Sequence, residues 1–154
     1  METVKYTTKR PKAAVSAVIK NSEGKILITL RSKEVLWPGT WCLPGGHLEG
    51  GQDWRSALDK EVLEEVGLVV KEAVLMGIYS DPKVNIIFDP KKSETHCFVT
   101  ACFMVTKFEG EVRHNSEVDE VRWIAAHEIP ESILDAELVK VRDAFQFKGE
   151  VFVK

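Results

Sequence analysis

Residues 45–68 read GGHLEGGQDWRSALDKEVLEEVGL, a glycine-rich turn running straight into a helical pattern. Glu61, Glu64 and Glu65 stand at offsets of three and four, which brings their carboxylates to one face of a helix. Three like charges side by side repel, so stability alone disfavours them. A hard divalent cation with a preference for oxygen ligands reverses that balance. The other face carries Leu58, Val62 and Val66, with Ala57 and Leu63 beside them, at the spacing of a buried stripe. One short helix is thus expected to pack on one side and hold metal on the other. The plainer reading is a solvated charged face that ends at a glycine cap, Gly67. The fixed distance from the Gly45-Gly46 turn to the glutamates tips the balance toward a site.

With those residues in view, the stretch resembles the Nudix box of MutT-like pyrophosphohydrolases, whose pattern is G, five residues, E, seven residues, R-E-U-x-E-E-x-G-U, with U apolar. Counted from Gly46, this chain supplies Gln52, Lys60, Glu61, Val62, Glu64, Glu65, Gly67 and Leu68. TWCLPGG resembles the lead-in to the box, GKILITLRS the strand before it, and EVDEVRWI a segment near the family's C-terminal end. The resemblance spans Ala13 to roughly Ile129. Two positions depart from the pattern. The loop glutamate is Gln52, which brings no charge, and the arginine is Lys60, which lacks the planar bidentate fork. Both belong to the support around the metal ligands, so looser orientation is expected, with Glu49 in the same loop as partial compensation.

The resemblance implies an α+β Nudix fold, an α-β-α sandwich with a mixed sheet flanked by helices. It implies a hydrolase that uses Mg²⁺ or Mn²⁺ to cleave the pyrophosphate bond of a nucleoside diphosphate linked to another group. A nucleoside triphosphate or ADP-ribose-type substrate comes first, a nucleotide sugar next, and a capped or triphosphorylated RNA end last. By resemblance Glu61, Glu64 and Glu65 ligate the metal with the backbone carbonyl of Gly45, and Glu61 or Glu64 is the general base. Glu117, six residues before Trp123, is the candidate for a further ligand, with Glu120 as its runner-up. Gly46 and Arg31 are placed at the substrate. A base needs a flat partner, for which Trp37, Tyr79, Phe88 and Phe98 are available, each read more readily as core or strand packing. Two other classes remain: a nucleotide-binding module without catalysis, and an isoprenoid diphosphate isomerase, for which Cys42 beside the box is the prompt. Many relatives dimerise, so a homodimer is admitted.

Composition limits the rest. The chain has 154 residues, enough for one domain with a real core. Hydrophobic residues make up 44% and charged residues 29%, as in ordinary globular proteins. A net charge of −3 argues against a binder of long nucleic acid, and the locally basic KYTTKRPK reads as a solvated lead-in. No apolar run has the length of a membrane span, and the first residues lack the apolar core of a secretory signal. Three cysteines without a C-x-x-C pair read as reduced cytoplasmic thiols.

Alternation predicts a strand over 13–19, a turn at 21–24 and a second strand over 25–30, together a hairpin. A loop leads into Trp41-Cys42-Leu43, and the box helix runs from about residue 53 to 66, starting near Gln52 or Asp53. A β-rich run covers 69–79. Residues 84–88 lie between turns. Residues 95–107 form the longest apolar strand and are expected at the centre. A further strand covers 119–124. A closing helix is expected from Pro130 to about Phe147, with Ile133, Leu134, Leu138, Val141 and Phe145 as its apolar positions.

Overall fold

The computed structural model describes residues 10–154. The basic lead-in therefore lies outside the described residues except for its last three. Nine strands and two helices follow in the order β1 (Lys12–Ile19), β2 (Ile26–Arg31), β3 (Trp41–Cys42), β4 (Gly45–His47), α1 (Trp54–Val66), β5 (Val69–Tyr79), β6 (Ile86–Asp89), β7 (Glu94–Glu109), β8 (Val118–Ile124), α2 (Asp135–Gln146) and β9 (Phe152–Val153).

The long apolar run becomes β7, and it is central as expected. It pairs in parallel with β1, from Lys12↔Phe98 to Ile19↔Val105, and antiparallel with β5 and β6. With β4 on the far side of β1 and β9 on the far side of β5, this makes a mixed sheet of six strands. Alternation along the strands sends side chains to two layers. Val15, Ala17, Ile19, Leu27 and Val105 face α1, packed on its Ala57, Leu58, Val62 and Val66. Val18, Ile28, Met76, Cys102 and Met104 face α2, packed on its Val141 and Ala144. This is the α+β sandwich with a flanked mixed sheet.

Three local expectations are corrected. β1 and β2 are joined by the Asn21 turn, but they share only the bridge Lys20↔Ile26. Each strand is claimed by other partners, so the hairpin opens: β2 joins β3 and β8 in a second, three-stranded sheet. The closing helix begins at Asp135, not Pro130. Trp41 N–H donates to Ser132 O and Ile133 bridges Trp41, so this stretch serves as a sheet edge before the helix can start. Leu63 is 53% exposed and lies off the buried stripe of α1. β9 was not legible as a strand; it is held by Lys154 N–H to Ile78 O and by its pairing at Gly77 and Ile78.

α1 is fixed at both ends. Asp53 caps its start, its carboxylate accepting the Ser56 N–H at 2.7 Å. Gly67, at φ 73°, closes it in the left-handed conformation. Leu58 is fully buried between α1 and the sheet. Leu58→Ala should cost about 2–5 kcal/mol, read as a lower urea midpoint at unchanged m-value.

Candidate active site

β4 and α1 meet along their short sides. β4 runs antiparallel to β1 with Ser16↔Gly45, Val15↔Gly46 and Ala14↔His47. The Gly45 N–H donates to Glu65 Oε2 at 3.1 Å. A Cβ on Gly46 would stand 2.5 Å from Glu61 Cδ, and one on Gly45 would stand 2.2 Å from Val15 O. Both glycines are therefore demanded by contact, Gly46 by the Glu61 carboxylate and Gly45 by the main chain of β1. Gly45 contacts the acidic set through its N–H, and its carbonyl is the atom that the resemblance offers to a metal.

Burial is the main influence on these acids. Glu65 is pushed up to about 8, first by desolvation, against the Gly45 hydrogen bond, with the Glu61 and Glu117 charges adding to the rise and Arg31 opposing it. Glu61 is also raised, again by burial first; Lys60 lowers it, and Glu64, Glu117 and Glu49 raise it further. Glu64 is exposed. Glu117 joins from the loop before β8. That loop is tied to the end of β2, with Ser32 N–H on Glu117 O at 3.0 Å and Ser32 Oγ–H on Ser116 O at 2.7 Å. Glu120, on β8, instead pairs with Arg122 at 2.8 Å, and of the two candidates Glu117 lines the cleft. Lys60 pairs with Glu49 at 3.7 Å, while Gln52 accepts the Glu49 N–H at 3.0 Å. The altered residues thus meet through Glu49.

Among the described residues, no three Asp, Glu, His or Cys side chains form a ready-made metal cage. The donor set nevertheless suits a hard cation. It consists of carboxylate oxygens: those of Glu61 and Glu65, desolvated and set against β4, and those of Glu64 and Glu117, exposed beside them. Glu61, Glu64, Glu65 and Glu117 are the residues that would hold the ion.

These groups form one wall of a cleft of about 660 Å³, within the size range of small-molecule sites. Arg31 lines it; its Nε–H donates to Leu36 O, and its NH1 lies 3.9 Å from Cys42 Sγ. Trp37 stands at the cleft with a left-handed backbone, φ 59°, 43% exposed. Phe98 lines it too, stacked on His47 at 5.4 Å and 2°. Burial, then Lys12, His96 and Lys92, hold the His47 imidazole below its usual value. Tyr79 is core, its hydroxyl donating to Asp143 at 2.9 Å, and Phe88 does not line the cleft, so neither is available to stack on a base. On the α2 side, the buried Lys140 ammonium meets Glu137 at 2.6 Å and Ser16 Oγ at 3.2 Å, and Glu137 accepts the Leu43 N–H. Sequence reading missed this pair and the His47–Phe98 stack. The Glu137–Lys140 spacing was a local signal; the stack depends on a register between distant strands.

Comparison with known proteins bears on the family and the fold. A family profile described as NUDIX domain matches residues 10–145. An ADP-ribose pyrophosphatase of Methanocaldococcus jannaschii is 28% identical over 90% of this chain and 76% of its own length. The nucleoside triphosphatase NudI of Escherichia coli is 27% identical over 91% of this chain and 98% of its own. The MutT NUDIX hydrolase of Burkholderia pseudomallei superposes at a TM-score of 0.72 with 22% identity, covering 90% of this chain and 98% of that one, a likeness of fold.

Glu65 carries a stability signature. Folded, it keeps its proton up to about pH 8, against an ordinary value of 4.5. The folded chain therefore binds more protons than the unfolded chain across that window, and stability falls as pH rises through it. In chelator, Tm should drop by several degrees between pH 5 and pH 8, at roughly 2–4 °C per kcal/mol for a chain of this size. Glu65→Gln should flatten the drop, and scanning calorimetry across pH checks both.

Proposed function

The chain belongs to the NUDIX family, and from that premise we propose that it is a divalent-metal-dependent pyrophosphohydrolase of small nucleotides. Its substrate is a nucleoside diphosphate linked to another group, of nucleoside triphosphate or ADP-ribose type. The observation that carries this reading is the packing of Glu61 and Glu65 against Gly45 and Gly46, with Glu64 and Glu117 beside them. Hydrolysis of a P–O–P bond needs charge neutralisation, an aligned water and a proton acceptor. Bound Mg²⁺ or Mn²⁺ supplies the first by acting as a Lewis acid on phosphate oxygens.

The chain's own groups supply the rest. Glu65, fixed by the Gly45 N–H, orients the acidic set. Glu61 and Glu64 are our candidates for the proton acceptor; burial and like charges raise the proton affinity of Glu61 toward a working base. Arg31, across the cleft, meets phosphate charge, and Gly46 lets the substrate approach main chain. Lys60 and Gln52 hold the loop through Glu49. The net charge of −3 keeps long nucleic acid out of the reading, and among the described residues no helix is long and apolar enough to cross a membrane. We place the enzyme in the cytoplasm, where its free thiols stay reduced.

The isomerase alternative needs a nucleophilic thiolate. Cys42 is buried and pushed up to about 11, mainly by desolvation and then by Glu137, so it is a neutral packing thiol. A binding module without catalysis gives no reason to keep Glu64 on the exposed rim of the acidic set.

Glu64→Gln should leave Tm unchanged or slightly raised and lower kcat by roughly 10²–10³-fold. A metal-dependent phosphate-release screen with nucleoside triphosphates, ADP-ribose, nucleotide sugars and dinucleoside polyphosphates checks it. Near-full turnover by the variant would sink the metal assignment.

A further inference from the structure

The cleft continues past the glutamates along β4. Gly45 meets Glu65 and Gly46 meets Glu61. His47 is one strand step beyond, about 3.3 Å, and alternation sends it to the opposite face of the sheet. There the registers Ala14↔His47, Ala14↔Thr100 and Lys12↔Phe98 put His47, Lys12, Phe98 and, two residues along β7, His96 on one patch. The small residues Ala14, Ser16 and Thr100 leave the floor between this patch and the α2 side open. Lys91 and Lys92, in the turn between β6 and β7, border it.

The patch holds three ammonium groups, and one of its members is incomplete. Lys12, Lys91 and Lys92 stand with two histidines, faced by Asp89, by Glu94 on His96 and by Glu49, which acts on His47. His96 is 4% exposed. Its Nε2 lies 3.0 Å from Glu94 and 3.4 Å from Lys12 Nζ, while Nδ1 has no partner at all. A buried polar atom without a partner is costly, and a structural histidine is ordinarily satisfied on both nitrogens or solvated. Here the unpaired nitrogen belongs to a residue lining the cleft, on a ring that also touches the Lys12 ammonium.

We propose that Lys12, His47, Lys92 and His96 form an anion subsite that takes a phosphoryl group of the substrate beyond the scissile pyrophosphate link. The preferred substrate is then one that carries an extra phosphate at that end, of the nucleoside triphosphate type, over a diphosphate closed by a neutral sugar. This rests on the hydrolase reading above and makes its substrate class specific. The overall reaction keeps its balance: water adds to one phosphorus, the bridging P–O bond breaks, and for a nucleoside triphosphate the products are a monophosphate and pyrophosphate. The subsite holds the outer phosphoryl of the departing pyrophosphate.

Two measurements separate the subsite from the hydrolase reading. In chelator, wild-type protein should bind inorganic tripolyphosphate by calorimetry, and Lys12→Gln with Lys92→Ala should weaken it roughly 10- to 100-fold, the worth of one or two charge-assisted hydrogen bonds. With metal, the ratio of kcat/KM for a nucleoside triphosphate to that for ADP-ribose should fall by a similar factor in the variant. Lys12→Arg should restore most of it. ADP-ribose bearing a terminal phosphate distinguishes a polyphosphate chain from a phosphomonoester as the source of the charge; sensitivity of either to the variant supports the subsite. Unchanged tripolyphosphate binding, or an equal loss on all substrates, overturns it. Should Lys12→Gln fail to fold, Lys92→Ala alone, in an exposed turn, carries the same test. Absence of any turnover would defeat the hydrolase reading, and the tripolyphosphate titration would still decide the subsite.

Discussion

The hydrogen bond from Gly45 to Glu65 is the contact on which the site hangs. It joins a strand edge to a helix across a gap too narrow for any side chain, and it holds a carboxylate that burial pushes up to about 8. Such a group destabilises the chain that carries it unless it is protonated or neutralised by a cation. The core must therefore hold α1 in place against that cost. It does so with a stripe of Ala57, Leu58, Val62 and Val66, each fully or almost fully buried, clamped between the Asp53 cap and Gly67. Stability and chemistry are divided between two faces of thirteen residues.

The same division explains how Gln52 and Lys60 can replace the usual charged pair. The glutamate that Lys60 would otherwise lack is supplied by Glu49, which is itself held by Gln52 through its backbone N–H. The charge has moved three residues toward the glycine turn. The pair is exposed and its geometry is not bidentate, so its energetic weight is small. Its effect is on Glu61, whose proton affinity Lys60 lowers while Glu49 raises it. The loop tunes the acid next to it more than it stabilises the fold.

Much of this was readable from residue spacing. α1, its caps and its buried stripe follow from offsets of three and four, and β7 from the longest apolar run, because both signals are local. The errors lie where tertiary partners outvote local pattern. The first two strands look like a hairpin through the Asn21 turn, but pairing with β7 and β8 draws them into separate sheets. Pro130 looks like a helix start, yet Trp41 recruits residues 132 and 133 as a strand edge. In the site, the helical glutamates and the glycine turn were legible together. Glu117 was a candidate through its spacing to Trp123, but what ties its loop to the end of β2 is Ser32, in a different segment.

The two ends of the cleft follow from one property of strands. β4 is three residues long and carries its neighbours in sequence order: Glu65 at Gly45, Glu61 at Gly46, and Phe98 at His47. Side chains alternate across a strand, so the acids approach from the α1 side and the cationic patch lies on the other face. The two stay on opposite faces because Lys12 and His96 are held on β1 and β7, strands paired within the sheet. A polyphosphate presents repeated negative charge at a similar step. Under the proposed function, a short strand with the helical carboxylates on one face and ammonium groups on the other suits such a chain in charge.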